Sequence, residues 1–474
     1  MKLNDFKNKK ITVMGIGLNE GGRGTIIFLS KLGAKILATD LKTEKELAPS
    51  LKKLQPFKIK YVLGKHRRKD FLNVDLIIKN PAVSSNHPYL QIALKHHIPI
   101  ESEIGIFYQL LNHQQPLIAV TGAKGKSTTA ALIAFILKKY FKSVILGGNI
   151  GISILNQYFK IKPSSFIVLE VSAQQLEDLK RHKFRPQVAI LTNILEDHLD
   201  RYHSFKKYIQ TKKIIFQFQT FKDYLILNYD DQILKNISKS AKSKVYWFSF
   251  KQLPKSKKGI FVKNNNLMFN DGKKYKNFMN LKEFKINHQF QLEAIMAAVL
   301  VAFIYQIPVS IIKKAIKEFK WLPYRLSYLK TFRGIKIYND STATIPAATL
   351  KAIKTFHQPL ALIMGGQDKK LNFNPLVEEL ETNPLIKKVI ILNHPRYDAS
   401  LKIKGLFKQK NGLNKIIEAN SLKEALKKGI NFLKKDEILL FSPAAASFGM
   451  FQNEFDRGRE FTKVVKMLKY VYKG

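Results

Sequence analysis

Short apolar runs alternate with segments of helical spacing along most of the chain. Near the start, KITVMGIG is an apolar run that ends in glycine, GGRGTIIFLSKLG has apolar residues at helical spacing, and KILATD is a second apolar run that ends at Asp40. The same alternation returns with PLIAVTG and again with GIKIYND. Because strands that alternate with helices form parallel sheets with crossover helices, the pattern predicts three α/β domains.

The same pattern predicts where the domains begin and end. It stops near residues 112–116, restarts with PLIAVTG, and begins a third series around Trp321. We therefore expect an N-terminal domain over residues 1–114, a central domain over 115–321 and a C-terminal domain over 322–474. The polar stretch KQLPKSKKGIFVKNNNLMFNDGKKYKNFMN predicts loops or short hairpins, and LEAIMAAVLVAFIYQI predicts a buried helix.

Composition limits the class of protein. The chain has 474 residues, of which 45% are hydrophobic and 11% aromatic, as in folded rather than disordered proteins. The absence of Cys excludes disulfides and thiolate metal sites, and it fits a reducing cytosol. The N-terminus lacks the apolar core of a signal peptide, and no stretch approaches the ~20 apolar residues that span a bilayer. We therefore expect a soluble, cytoplasmic protein with no membrane partner.

The formal net charge of +46 raises the question of nucleic-acid binding. Only 11 of the 81 basic residues are Arg, and the Lys are scattered along the whole chain. Nucleic-acid surfaces usually combine Arg with aromatic platforms or a recognisable module, and we find neither. We interpret the charge as a compositional bias and expect no nucleic-acid partner, although the field would attract anionic substrates.

The stretch VTGAKGKST lies between two apolar runs and has the groups of a phosphate-binding loop. Gly122 and Gly125 allow a bend, and Lys126 supplies a positive charge that can reach outer phosphates. Ser127 or Thr128 can offer a hydroxyl to magnesium. The usual long form of this loop has four residues between its glycines, whereas this stretch has two. Its position between a strand and a helix favours phosphate binding, and a plain turn is the alternative.

A second glycine-rich turn follows the first predicted strand. Gly15 and Gly17 end that strand, further glycines open the next helix, and Asp40 ends the next strand. This arrangement resembles a dinucleotide fingerprint with imperfect spacing. It favours binding of a nucleotide or a sugar nucleotide, and tight packing is the alternative.

Other polar residues also stand at predicted strand ends. Glu170 ends FIVLE, and His198 follows VAILTNI. Ligands of parallel sheets bind outside the carboxyl ends of the strands, and oxygen and imidazole ligands suit magnesium or manganese beside ATP. A structural role is the alternative for the histidine. Three further segments stand at strand ends, namely YNDSTAT, GGQDKK and SPAAASFG. A turn or a helix cap is the alternative to ligand binding for each of them.

Taken together, these segments resemble the Mur ligase family over nearly the whole chain. The segments that carry the resemblance are VTGAKGKST, GGNIG, LEVSAQQLE, TNILEDHLDRY, LPYRL, NDSTAT, GGQDK and SPAAASFGMFQNEFDRG. DHLDRY and SPAAASF favour the member that adds glutamate. The resemblance implies a Rossmann-like N-terminal domain, a central P-loop ATPase-like domain with a mainly parallel sheet, and a C-terminal Rossmann-like α/β domain.

The resemblance also implies an activity. An ATP-dependent ligase would join D-glutamate to UDP-N-acetylmuramoyl-L-alanine through an acyl phosphate, a cytoplasmic step in the synthesis of peptidoglycan precursors. Two magnesium ions would assist, one of them bound to a carbamylated Lys212, for which the neighbouring Lys213 is the alternative in our alignment. The protein would be a monomer.

The site residues that the resemblance implies form four groups. The UDP substrate would contact Gly17, Leu18, Asn19, Asp40 and Asn149. ATP would contact Gly122, Ala123, Lys124, Gly125, Lys126, Ser127, Thr128, Arg325 and Asp340. The metal ions would bind Ser127, Glu170, His198 and Lys212, which act in catalysis with Lys126. The glutamate carboxylates would contact Lys369 and Ser447.

Some positions depart from the family's common pattern. The departures are Lys124 for Asn in the phosphate loop, Phe290, Gln291 and Ala294 in the adenine segment, Thr342 for Lys, Ala82 for Gly, and the order Asn-Glu-Phe at 453–455. None of these removes the catalytic Lys126, Glu170 or His198, so we expect an active enzyme. Another ligase of the superfamily, with a different acceptor or L-glutamate, is one alternative. A non-catalytic or nucleic-acid-binding protein on the same scaffold is the other.

Overall fold

The computed structural model describes residues 1–111, 114–284, 286, 288–410 and 412–468. Asn112 and His113, the first two positions of the predicted boundary segment, lie outside the described residues, as does the end of the chain from residue 469. The chain divides into two compact units. The first unit consists of Met1–Ile194 and Ile209–Phe319, and the second of Leu195–Tyr208 and Lys320–Gly474.

The first unit begins with a five-stranded sheet, here called the first sheet. Its strands are β1 (Lys10–Met14), β2 (Lys35–Asp40), β3 (Ile59–Leu63), β4 (Leu76–Lys79) and β5 (Ile100–Glu101). Its helices are α1 (Glu20–Lys31), α2 (Glu44–Leu54), α3 (Pro88–Lys95) and α4 (Glu103–Leu110). All strand pairs are parallel, in the order β3-β2-β1-β4-β5. The chain reverses its direction of winding between β1 and β4, and ligands bind at such a switch point in open α/β sheets.

The second sheet, also in the first unit, has nine strands. They are β6 (Leu117–Thr121), β7 (Val144–Gly148), β8 (Phe166–Glu170), β9 (Val188–Leu191), β10 (Tyr224–Asn228), β11 (Lys244–Ser249), β12 (Gly259–Lys263), β13 (Asn266–Asn270) and β14 (Tyr275–Asn280). Their order is β14-β13-β12-β11-β10-β9-β6-β8-β7. The pairs from β7 to β12 are parallel, and β12, β13 and β14 form two antiparallel hairpins. The hairpins predicted from the polar stretch are therefore confirmed.

The helices that follow the strands of the second sheet include one that is apolar almost all round. They are α5 (Lys126–Lys138), α6 (Ile154–Gln157), α7 (Ala173–Lys180), α8 (Leu199–Tyr202), α9 (Phe205–Gln217), α10 (Gln232–Ser238), α11 (Gln289–Ile304) and α12 (Val309–Glu318). α11 packs against α5, and its residues from Ala294 to Ala302 are all buried. The predicted buried helix is therefore confirmed. α8 and the first residues of α9 belong to the second unit.

The second unit contains the third sheet. Its strands are β15 (Ser327–Phe332), β16 (Ile335–Asn339), β17 (Leu360–Met364), β18 (Ile386–Leu392), β19 (Ile416–Ala419) and β20 (Ile438–Phe441). Its helices are α13 (Pro346–Ile353), α14 (Asn374–Thr382), α15 (Asp398–Gln409), α16 (Leu422–Asn431) and α17 (Glu454–Lys466). The order is β15-β16-β20-β17-β18-β19, and every pair is parallel except the β15–β16 hairpin.

Short 3-10 helices complete the described structure. They lie at Leu3–Phe6, Arg68–Phe71, Tyr158–Lys160, Leu281–Glu283 and Leu413–Lys415. The central strands β6, β8 and β9 are buried along their whole length, because helices cover both faces of a parallel sheet. Their sequences LIAVT, FIVLE and VAIL are therefore continuous apolar runs. Among the described residues, no helix combines the length and the apolar character needed to cross a bilayer.

Candidate functional site

The glycine-rich stretch between β6 and α5 forms a tight loop at the start of the helix. Gly122 and Gly125 have φ values of +150° and +85°, which residues with a Cβ rarely adopt. A Cβ at Gly122 would also clash with the hydroxyl of Thr192. Gly125 is the N-cap of α5, so the first free N–H groups of the helix face the loop. A helix N-terminus of this kind is suited to bind a phosphate.

Lys126 is the first residue of α5 and folds back over the loop. Its Nζ donates a hydrogen bond to the carbonyl of Ala123 at 3.1 Å. Ser127 and Thr128 follow in the first turn of the helix, where Thr128 is buried. The ammonium group is thus held at the loop by a neutral carbonyl.

Two residues at the end of β9 hold this loop from the other side. The hydroxyl of Thr192 donates to the carbonyl of Lys124 at 2.5 Å, and the amide of Asn193 donates to the same carbonyl at 3.0 Å. The backbone N–H groups of Ala123 and Lys124 donate to the carbonyl and side-chain oxygens of Asn193, at 3.1 and 2.9 Å. Neither residue is predicted from the sequence to support the loop. Their position directly after VAIL was the available signal.

Glu170, at the end of β8, has one carboxylate oxygen engaged and one free. Asn149 donates its side-chain amide to Oε1 at 2.9 Å and its backbone N–H to the carbonyl of Glu170 at 2.8 Å. Oε2 is buried and has no hydrogen-bond partner among the described residues. A buried carboxylate oxygen without a partner is costly, so the residue is suited to accept a cation. Asn149, predicted to bind substrate, and Glu170, predicted to bind metal, are therefore in direct contact.

Lys212, in α9, reaches the base of the phosphate loop. Its side chain is buried, and Nζ donates to the hydroxyl of Thr121 and to the carbonyl of Gly122, both at 3.0 Å. Lys213 is partly exposed. Of the two lysines considered for the metal site, Lys212 is the one that contacts the loop.

The donor set has the character of a magnesium site. Within the described part of the chain, no group of three or more His, Cys, Asp or Glu side chains is placed to hold a metal ion. Magnesium in phosphate-transfer sites is usually bound by one or two carboxylates, waters and the phosphates of the substrate. Glu170 with its free oxygen, next to a loop suited to phosphate, fits that pattern.

The N-terminal glycine turn lies at the switch point of the first sheet. Gly17 has a φ of +63°, Leu18 is half-buried, and Asn19 is the exposed N-cap of α1. Asp40, at the end of β2, accepts the backbone N–H of Gly17 on Oδ2 and that of Lys42 on Oδ1, both at 2.9 Å. The aspartate therefore holds the turn in shape through both of its oxygens.

The candidate ATP residues of the second unit, Arg325 and Asp340, have partners within that unit. Asp340 is buried at the end of β16, and it accepts the backbone N–H of Leu326 and the hydroxyl of Ser442, both at 3.0 Å. The guanidinium of Arg325 lies 5.6 Å from the ring centroid of Phe455. Asp340 thus connects the LPYRL segment to the strand end at SPAAAS.

The segment that contains His198 packs within the second unit. His198 is the N-cap of α8 with a φ of +55°. The residue before it, Asp197, accepts a hydrogen bond from Lys369 Nζ at 3.0 Å, and the backbone N–H of Asp200 donates to the carbonyl of Lys369 at 3.3 Å. The predicted glutamate-binding lysine is therefore bound to the neighbour of the predicted metal ligand.

Ser447 and the GGQDK segment lie together in the second unit. Gln367 and Ala446 form an antiparallel bridge that brings the two segments side by side. The hydroxyl of Ser447 is buried and has no hydrogen-bond partner among the described residues. A polar atom of this kind is suited to a ligand.

Arg457 is a buried residue of this region that the sequence analysis did not single out. Its guanidinium donates to the carbonyl and hydroxyl of Ser341, at 2.8 and 3.1 Å, and to the carbonyl of Ala445 at 3.1 Å. Burial lowers the pKa of Arg457 to about 10. The residue ties NDSTAT to SPAAAS, and an Arg in the terminal motif was the signal available.

The residues that depart from the family pattern have defined environments. Gln291 and Ala294 are buried in α11, and Phe290 is half-buried. Thr342 donates its hydroxyl to the carbonyl of Tyr324 at 3.0 Å, so it supports the LPYRL segment. Ala82 is exposed in the loop after β4.

Comparison with known proteins gives consistent matches over the whole chain. Residues 9–102 match the family model "Mur ligase MurD-like, N-terminal domain", and residues 120–302 match "Mur ligase middle domain". A UDP-N-acetylmuramoylalanine–D-glutamate ligase of Borreliella afzelii is 37% identical over 475 residues, which cover 99% of this chain and 100% of the relative. A ligase of the same name from Clostridioides difficile is 33% identical over 467 residues, with 98% and 100% covered.

A solved structure shares the fold. The crystal structure of UDP-N-acetylmuramate-alanine ligase MurC from Thermotoga maritima superposes with a TM-score of 0.64 at 20% identity, covering 97% of this chain and 99% of that one. The predicted three-domain α/β fold class is confirmed.

Proposed function

Because the chain belongs to the Mur ligase family, we propose that it joins D-glutamate to UDP-N-acetylmuramoyl-L-alanine in an ATP-dependent, ADP-forming reaction of peptidoglycan precursor synthesis. The observation that carries the proposal is the identity of 37% over the whole length of a relative with that name. Both nucleotide-linked substrates are intracellular metabolites, so we place the reaction in the cytoplasm.

The chemistry has two balanced steps. A carboxylate oxygen of the alanyl group attacks the γ-phosphorus of ATP, the bond to the β-phosphate oxygen breaks, and an acyl phosphate and ADP result. The glutamate amine, after losing a proton, then attacks the acyl carbon. The C–O bond to phosphate breaks, so the amide and inorganic phosphate are the products.

The phosphate loop is assigned to ATP. Residues 122–128 would surround the phosphates with backbone N–H groups, and Lys126 would offset negative charge on the phosphoryl group in transfer. The position of the Lys126 ammonium group at the loop itself, 3.1 Å from the carbonyl of Ala123, supports this role. Arg325 and Asp340 of the second unit would contact the phosphate and ribose of ATP.

Magnesium would be held by Ser127 and Glu170, and a second ion by His198 and a carbamylated Lys212. Oε2 of Glu170, which has no hydrogen-bond partner in the described part of the chain, supports the first site. A carbamate on Lys212 would add a carboxylate-like ligand beside the phosphate loop, where Nζ already lies. When bound, the ions neutralise part of the charge that the reacting anions bring together.

The remaining candidates are assigned to the two other substrates. Gly17, Leu18, Asn19 and Asp40 would receive the UDP end, with Asn149 on its sugar-peptide part. Lys369 and Ser447 would bind the glutamate carboxylates. The buried hydroxyl of Ser447, which has no partner among the residues that the structure describes, supports this. In these assignments the predicted region 1–114 binds the UDP substrate. Region 115–321 binds ATP, and region 322–474 binds the amino acid.

The proposal is tested by a substrate-omission assay on the purified chain. ADP release from Mg-ATP should require both UDP-N-acetylmuramoyl-L-alanine and D-glutamate, and L-glutamate and L-alanine should not replace D-glutamate. ADP release that continues without either substrate would refute the ligase. A preference for L-glutamate or for another acceptor would identify a different ligase of the superfamily.

A further inference from the structure

A buried glutamate after the last strand of the first sheet binds a segment that follows a strand of the second sheet. Glu103 is the first residue of α4 and is only 6% exposed to solvent. Its Oε1 accepts the hydroxyl of Ser153 at 2.5 Å. Ile154 is where α6 begins. The carboxylate thus holds the residues that follow β7.

On its other side Glu103 lies directly behind the N-terminal glycine turn. A Cβ at Gly21, in the first turn of α1, would be 3.2 Å from Oε2 of Glu103. A Cβ at Gly24, one turn later, would clash with the side chain of Ser153. A small cavity lined by Gly15, Gly21 and Glu103 among others has room for about one water molecule. α1, α4 and the start of α6 are therefore packed with almost no free space.

The segment that Glu103 holds leads directly to Glu170. Ser153 follows a loop that is closed by a hydrogen bond from Gly148 N–H to the carbonyl of Ile152 at 3.0 Å. Asn149 lies within this loop and makes two hydrogen bonds to Glu170, at 2.8 and 2.9 Å. A short series of contacts therefore connects the glycine turn to the carboxylate that would bind magnesium.

We propose that Glu103 is a positioning residue that sets the spacing between the glycine turn, which receives the UDP end of the substrate, and Glu170, which faces its reacting end. This inference rests on the proposed function. One covalent molecule has to reach both places at once, so a change in their spacing displaces the reacting carboxylate. A displacement of about 1 Å can reduce the rate of an enzymatic reaction by about a hundredfold.

The cost of burying this group supports a functional reason for keeping it. Burial raises the pKa of Glu103 to about 7, although the Ser153 hydroxyl and the nearby backbone N–H groups of Ile154 and Leu155 act in the opposite direction. A buried carboxylate generally contributes less to stability than an apolar residue of similar size. The directional hydrogen bond to Ser153, the N-cap of α6, is what an apolar residue could not provide.

The test compares three variants with a matched control. Glu103→Leu removes all the acceptors, Ser153→Ala removes one donor, and Glu103→Gln keeps an amide oxygen that can still accept hydrogen bonds. Glu44→Gln, an exposed glutamate of the same sheet's region, is the control. The measurements are kcat and KM for the UDP substrate, the Kd of UDP alone and of Mg-ADP alone, and the Tm.

Positioning predicts a specific pattern of results. kcat should fall between tenfold and a hundredfold in Glu103→Leu and by about tenfold in Ser153→Ala, and Glu103→Gln should recover most of the loss. The Kd values of UDP and Mg-ADP should stay within twofold of wild type, because each of these ligands occupies one side only. The control should match wild type throughout.

Other outcomes would overturn the inference. If wild type is an active ligase and both Glu103→Leu and Ser153→Ala keep kcat within twofold, Glu103 does not position the substrate. If kcat, both Kd values and Tm change together, the residue is only structural. If Glu103→Leu does not fold, Ser153→Ala decides alone. A wild-type protein without glutamate-dependent ADP release would refute the ligase function itself, and the inference with it.

Discussion

Lys369 Nζ lies 3.0 Å from Oδ1 of Asp197, and the two side chains are only 16% and 10% exposed. Asp197 precedes His198, the candidate metal ligand, and Lys369 is the candidate for a glutamate carboxylate. The two residues are far apart in the chain, and both belong to the second unit. An anionic substrate that binds Lys369 therefore has to share the ammonium group with Asp197 or displace it.

Because of this ion pair, substitutions of its two residues should have opposite effects on the KM for D-glutamate. Lys369→Met should raise the KM for D-glutamate by tenfold or more, because a charge-assisted contact is lost. Asp197→Asn should lower that KM several-fold, because the lysine no longer has a competing carboxylate. Steady-state kinetics at saturating ATP and UDP substrate would measure both. A rise of the KM in Asp197→Asn would show that the aspartate assists glutamate binding.

Lys126 is predicted to act in the transfer of the phosphoryl group. Lys126→Ala should lower kcat by about a thousandfold, because a preorganised charge in a site of this kind contributes several kcal/mol to the transition state. Lys138→Ala, an exposed lysine of the same helix, is the control and should keep full activity. An active Lys126→Ala variant would favour a scaffold role for the loop.

Substitutions of the two adjacent lysines of α9 should have very different effects on kcat. Lys212→Ala should lower kcat by a hundredfold or more, since its Nζ contacts the carbonyl of Gly122 in the phosphate loop. Lys213→Ala should stay within twofold of wild type, since that residue is partly exposed. Intact-mass measurement under CO₂ at neutral pH would detect a carbamate in wild type and in Lys213→Ala. Equal losses of activity in the two variants would contradict this assignment.

Glu103 predicts a pH dependence of stability. Its pKa in the folded protein is about 7, above the ordinary value of 4.5, so the folded state holds this proton more tightly than the unfolded chain. Its stabilising contribution is therefore complete below pH 4.5 and is lost as pH rises towards 7, by about 3 kcal/mol at most. Urea unfolding at pH 5 and pH 8 would test this, with Glu103→Gln as the reference. A stability difference between the two proteins that does not change with pH would contradict it.

Two helical glycines should respond in opposite ways to the same substitution. Gly24→Ala should destabilise the protein by roughly 1–3 kcal/mol, because the new methyl group would clash with Ser153. Gly405→Ala, in α15, meets nothing within 4 Å and should stabilise by about 0.5–1 kcal/mol through helix propensity. Denaturant unfolding of the two variants would measure whether the free energy of unfolding falls in the first and rises in the second. A neutral Gly24→Ala would show that α1 and α6 separate easily.

The elements could be predicted from the sequence because their signals are local. Each strand that is buried on both faces, such as FIVLE, is a continuous apolar run, and the helix at Gln289–Ile304 is apolar over its length. The phosphate loop was also visible, because its glycines, its lysine and its flanking elements are adjacent in the chain. Residue type and spacing suffice for features of this kind.

The partners of the candidate residues could not be predicted in this way. Thr192 and Asn193 support a loop about 70 residues away in sequence. Their position after VAIL indicates a strand end but not which loop they contact. Asp40 is predicted to contact the UDP substrate, yet both of its oxygens accept backbone N–H groups of residues close to it in the structure. The sequence placed these polar groups at strand ends but could not assign their hydrogen bonds.

What the sequence determined by itself is therefore the order of strands and helices, the phosphate loop and the inventory of charged groups available for chemistry. Only the tertiary structure decided which charges meet, as Lys369 and Asp197 do, and which carboxylate oxygen has no partner within the described ranges, as on Glu170. The physical reason is that periodicity arises from contacts between neighbours in the chain. Hydrogen bonds and ion pairs depend on distances of a few ångströms that are set only when the sheets and helices have packed.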